Sequence, residues 1–145
     1  MERIVLQLIT AFTGSMGYAL LFRLRAGLIP AASAGGMASW GVYLLSCRFL
    51  EGIFVPSFLA SAFAALYAEI LARLKKAPAT IFYAPAVIPL IPGSSLFYTM
   101  QAAVQADWAA FEANGALTAQ YALAIAGGMS FIWALCHIQR KLAGI

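Results

Sequence analysis

Two places in this chain carry residue types that could do chemistry: one carboxylate within an apolar run, and a cluster of prolines. Glu69 lies in the run Phe54–Ala72, in line with Ser57, Ser61, Ala65 and Arg73 at intervals of four residues. That interval places all five on one face of a helix. An acid at membrane depth is costly and typically faces a cavity, a partner or a proton path. The same spacing equally makes Glu69 the i,i+4 partner of Arg73. The proline cluster lies in Thr80–Gln105, where Pro85, Pro89 and Pro92 precede Gly93, Ser94 and Ser95. Each interior proline removes a helical hydrogen bond and clashes with the preceding turn. The expected form is an entry piece, a break around Pro89–Gly93, and a second half-helix from about Ser95 to Gln105. Ser94 or Ser95 would cap that half-helix, and Gly93 would take a positive φ. The N–H groups of Leu96 and Phe97 would be left free, with Tyr98 and Gln101 one turn on. A helix start of this kind suits an anion such as a carboxylate, and transporters hold substrates at such breaks. These considerations make Pro92, Gly93, Ser94, Ser95, Tyr98 and Gln101 the candidate substrate-binding residues.

The elements that must position these groups follow from composition. Of 145 residues, 63% are apolar and 10% charged, against roughly 45–50% and 25% in soluble domains. The mean hydropathy is +0.88. These figures exclude a disordered chain and argue against a soluble one. The basic residues are scattered and form no stripe, so a nucleic-acid partner is excluded too, despite a net charge of +4. The expected fold is an all-α integral membrane protein, a single transmembrane domain over 1–145. It has five segments: Ile4–Phe22, Leu28–Cys47, Phe54–Ala72, Thr80–Gln105 and Gly115–Cys136. Glu69 is the only charge within them.

Loop charges set an orientation. Arg23 and Arg25, then Arg73, Lys75 and Lys76, then Arg140 and Lys141 mark basic ends. They alternate with the neutral pair Arg48 and Glu51 and the acidic Asp107 and Glu112, read as solvated charges of an outer loop. Basic short loops stay in the cytoplasm, which places the N-terminus outside and the C-terminus inside. The first run is read as a retained span, not a cleaved signal peptide. Trp40, Tyr43, Phe54 and Trp108 fit an outer aromatic belt, and Phe82, Tyr83 and Trp133 an inner one. Gly14 and Gly17, Gly35 and Gly36 with Ser39, the series Ala60, Ala64, Ala68, Ala72, and Gly127 and Gly128 read as packing stripes. Cys47 and Cys136 fall near opposite faces and are expected to be unpaired. No metal-type spacing or catalytic set appears, so neither an enzyme nor a cofactor is expected.

The run Ala84-Pro85-Ala86-Val87-Ile88-Pro89-Leu90-Ile91-Pro92-Gly93, with Tyr98 beyond it, resembles the Pro-Gly-rich segment of the threonine/serine exporter family. Ala68-Glu69-Ile70-Leu71-Ala72-Arg73 and Lys76-Ala77-Pro78 resemble that family's third helix and its exit. The similarity is to the shorter, C-terminal half, which in many bacteria is a separate small subunit. Where the family more usually has Pro-Gly, this chain has Pro85-Ala86. The resemblance implies a proton-coupled exporter of small polar amino acids in the bacterial inner membrane, surrounded by lipid and working with a larger subunit or as a homo-oligomer. Some two-subunit relatives are associated with dicarboxylates such as succinate. A structural scaffold without transport would need only the small-residue helices; it would not need the broken one.

Overall fold

The computed structural model describes residues 2–142, which are helical apart from short connections. Helix α1 spans Glu2–Leu21, α2 Ile29–Phe49 and α3 Phe54–Lys75. The broken segment is α4, Thr80–Val87, followed by a 3₁₀ turn Ile88–Leu90 and α5, Gly93–Val104. The last helix, α6, spans Trp108–Leu142. Pro30 and Pro56 fall in the first turns of α2 and α3, where a missing N–H costs nothing.

Helices α1, α3 and α6 are long and apolar enough to cross a membrane. The α4–α5 pair, bent by 65°, would make a fourth span if taken as one. Helix α2 has the length, but its Pro30 and its several Gly and Ser residues hold its apolarity lower, so of the five expected segments three, or four counting the bent pair, have both the length and the apolarity to cross. The reason lies in its position: α2 packs against α1, α3 and α4 at once. Its face is closed by protein, and small residues there permit close approach. Ala32, Ser33, Gly35, Gly36 and Ser39 are all buried. Tyr67 of α3 lies over Gly35, where an added Cβ would sit 2.7 Å from its ring, and its hydroxyl donates to Ala31 O at 2.6 Å.

Helix α6 is longer than the expected Gly115–Cys136. Its 35 residues reach roughly 52 Å at 1.5 Å per residue, well beyond a hydrocarbon core of about 30 Å. It serves two neighbours in turn, α5 and α3. The expected outer loop is therefore absent. Chain reversal takes only Gln105–Asp107, with Ala106 at φ 55. Asp107 accepts a hydrogen bond from Ala110 N at 3.1 Å and caps α6, while Glu112 is an exposed residue of the helix itself. Between α3 and α6 the approach is tight at Gly128, where a Cβ would collide with Ser61 Oγ and the Phe58 carbonyl.

The expected faces of α3 are present. Ala60, Ala64, Ala68, Ser61 and Ala65 are fully buried, and Ser57 and Glu69 nearly so. Phe82 does not belong to an aromatic belt: it is fully buried against Ala32 and Ala68. Cys47 and Cys136 carry free thiols.

Candidate functional site

The break is built by proline chemistry and secured by two serines. Pro89 has no N–H, so the carbonyl of Pro85 loses its helical donor. Ser15 of α1 supplies one, donating to Pro85 O at 2.8 Å. Ser39 of α2 donates to the next carbonyl, Ala86 O, at 2.5 Å, where the helix tightens into the 3₁₀ turn. Both serines are fully buried. Gly36 lets the three chains meet, since a Cβ there would collide with Ser15 Oγ and stand 2.9 Å from Pro85 O. The packing stripes of α1 and α2 thus contain the hydrogen-bond donors that a broken helix in lipid requires.

The corner itself is Pro92, with φ −78 and ψ 64. That is an inverse γ-turn, closed by Gly93 N donating to Ile91 O at 2.8 Å. The break thus falls within Pro89–Gly93, as expected, but by a different device. Gly93 has no positive φ; among the described residues Gly52 is the only glycine with one. Helix α5 starts at Gly93 rather than Ser95, and no side chain caps it. Leu96 N is bonded to Pro92 O at 3.1 Å, so the uncommitted N–H groups are those of Ser94 and Ser95, not those of Leu96 and Phe97. Because a Cβ at Gly93 would meet nothing within 4 Å, Gly93→Ala is expected to leave thermal stability in detergent within about 0.5 kcal/mol of the parent.

A cavity of about 470 Å³ opens at this corner. Pro92, Gly93, Ser94, Ser95 and Tyr98 all line it; Gln101 does not, and is exposed elsewhere on α5. Opposite them stand Trp40 and Tyr43 of α2 and Asn114 and Tyr121 of α6. These four were not legible as site residues. Trp40 and Tyr43, expected in an outer belt, line the cavity, with ring centroids 5.0 Å apart. Tyr43 and Tyr121 share a hydrogen bond of 3.1 Å, and the buried indole Nε1 of Trp40 has no acceptor among the described residues. Spacing holds the only sequence signal: Trp40 and Tyr43 are three apart, and Asn114 and Tyr121 seven, each pair on one helix face. Ser95 is partly committed to structure. Its Oγ lies 3.2 Å from Pro92 O and 3.1 Å from Thr118 Oγ1, and Thr99 donates to its carbonyl at 2.7 Å.

Glu69 belongs to a different place. It is 4% exposed and accepts from Tyr83 Oη at 3.3 Å, with Arg73 Nη2 at 4.0 Å. It lines a cleft with Ala77, Pro78, Thr80 and Tyr83, at the start of α4, whereas the larger cavity begins at Pro89 beyond the end of that helix. The structure therefore gathers the broken-helix residues into one cavity and sets Glu69 apart from them, at the other end of α4.

Apolar helices of spanning length, one of them discontinuous and starting on a cavity, are the architecture of a multi-pass helical membrane protein. The family model described as Threonine/Serine exporter, ThrE, matches residues 7–135, and the chain belongs to that family, whose function is amino-acid export across a membrane. No curated protein and no solved structure matches the chain significantly.

Proposed function

We propose that this chain is the small membrane subunit of a proton-coupled exporter of carboxylate-bearing metabolites, threonine and serine foremost, in a bacterial inner membrane. One observation carries the reading: the uncommitted N–H groups of Ser94 and Ser95 start α5 on the wall of the 470 Å³ cavity. A carboxylate is the natural ligand of such groups. The aromatic faces of Trp40 and Tyr43 on the opposite side suit the ammonium of an amino acid. Among the described residues no Lys or Arg lines the cavity. A dicarboxylate would leave its second charge unpaired there, which favours the zwitterionic amino acid over succinate.

Glu69 is the proposed proton-coupling group, and the basic Arg23–Arg25 and Arg73–Lys76 connections support an N-out, C-in orientation. A partner is part of the proposal. Among the described residues helix α5 packs chiefly on α6, and its Phe97, Met100 and Val104 are 62%, 64% and 87% exposed. A larger subunit of the same family, or a second copy, would cover them.

The test is export from proteoliposomes with and without the larger subunit, offering threonine, serine and succinate. Ser94→Pro sharpens it. Proline is tolerated in a helix's first turn, so this variant removes one N–H while keeping α5. It is expected to weaken the threonine KM by roughly ten- to a hundredfold, the worth of one charge-assisted hydrogen bond, at an unchanged amount of protein in the membrane. An unaltered KM would remove the carboxylate from this site.

A further inference from the structure

A second cleft, of about 560 Å³, lies at the other end of the molecule, between the α1–α2 connection and the α3–α4 turn. Four cations line it: Arg23 and Arg25 from the first connection, Lys75 and Lys76 from the second. No Asp or Glu lines it, and none of the four has an ion-pair partner among the described residues. The acid nearest in topology, Glu69, opens to the neighbouring cleft, where Arg73 stands beside it. Phe22, Leu28 and Ile81 supply an apolar wall.

The backbone brings these charges together by a shared device. Arg23 and Lys76 both occupy the left-handed region, with φ 51 and φ 49. Each ends its helix: Leu24 N donates to Ala19 O at 3.0 Å, and Ala77 N to Ala72 O at 3.1 Å. Glycine is the usual occupant of such a position. Here it is filled twice by a cation, and both line the same cleft.

Four cations converging on a partly apolar cleft at a helix-bundle end call for an anion with an apolar tail. We infer that this cleft binds the phosphate of an anionic phospholipid headgroup, with the acyl chains against Phe22, Leu28 and Ile81. A cleft of this kind recognises a phosphate diester through its charge and its lipid through the apolar wall. Basic pockets between helices on the cytoplasmic side take such headgroups.

The experiment is native mass spectrometry of the purified full chain titrated with phosphatidylglycerol or phosphatidylcholine. The double variant Arg23→Gly/Lys76→Gly removes two charges while giving both caps the residue that left-handed backbone prefers, so folding is not the variable. Arg48→Gln/Lys141→Gln removes two exposed charges that do not line the cleft. Phosphatidylglycerol is expected to bind in preference to phosphatidylcholine. The double glycine variant should bind it about thirtyfold more weakly, at roughly a kcal/mol per cation, and the control pair nearly as the parent does. Excess inorganic phosphate should leave the bound lipid in place. Equal retention of the two lipids, or equal loss in both variants, would overturn the site. Displacement by inorganic phosphate would show a soluble-phosphate site and overturn the lipid assignment.

Discussion

Gly36→Val is expected to leave little folded protein and Gly36→Ala to lower thermal stability markedly, while Gly17→Ala should change nothing measurable. The three glycine substitutions look alike in sequence, since both positions stand in small-residue stripes. They differ in what a Cβ would meet. At Gly17 there is nothing within 4 Å; at Gly36 the Cβ collides with Ser15 Oγ and comes within 2.9 Å of Pro85 O. Ser15 can rotate away only by giving up its bond to that carbonyl. Overpacking costs about 1–3 kcal/mol, and a buried carbonyl without a donor about as much again. The sum, roughly 2–6 kcal/mol, is a large share of a domain's total of about 5–15. Valine adds two methyl groups with no room for either. Transport should fall with stability, because α4 is what places the Pro92 corner. Size-exclusion thermal profiles of detergent-solubilised variants check the order parent ≈ Gly17→Ala > Gly36→Ala > Gly36→Val. A Gly36→Ala profile matching that of Gly17→Ala would mean that Ser15 and Ser39 do not hold α4 in place.

The same residues show where the sequence was readable. Apolar length and the breaks at Gly and Pro set α1, α3 and the broken segment to within a few residues. The ends of α6 were missed because Ala109–Asn114 carries too few long apolar side chains to extend a span, although Asp107 followed by Ala110 is the pattern of a helix cap. At the corner, three prolines and a glycine fixed the location but not the geometry. An inverse γ-turn needs no glycine, so Gly93 attracted a role that Pro92 fills. The cavity's far wall was out of reach for another reason. Trp40, Tyr43, Asn114 and Tyr121 have ordinary roles at any membrane interface, and only the packing of α2 and α6 turns them toward the break. Ser15 and Ser39 were in principle findable: every proline in a helix leaves a carbonyl short of a donor, and a serine beside a glycine on a neighbouring helix is the compact way to supply it.

Glu69→Gln is the second large expected effect, and it separates coupling from architecture. Glutamine keeps the length of the side chain and an oxygen to accept from Tyr83 Oη, now 3.3 Å from the carboxylate. It loses the charge and the capacity to titrate. Glu69 is only 4% exposed, and removing a buried charge relieves a desolvation cost while giving up an attraction to Arg73. That attraction is weak at 4.0 Å with an arginine side chain 54% exposed. Loss of the Arg73 attraction should therefore by itself cost little stability. Export driven by a pH gradient should fall to the level seen without a gradient, and threonine exchange across equal pH should persist, because the Pro92 cavity lies beyond the other end of α4 and keeps its lining. Arg73→Gln is the control: it breaks the same pair but leaves the carboxylate able to titrate, so gradient-driven export should survive. Matching losses in the two variants would make the pair structural. Normal gradient-driven export by Glu69→Gln would place the coupling elsewhere, and the carboxylate would then serve to hold Tyr83 and the start of α4.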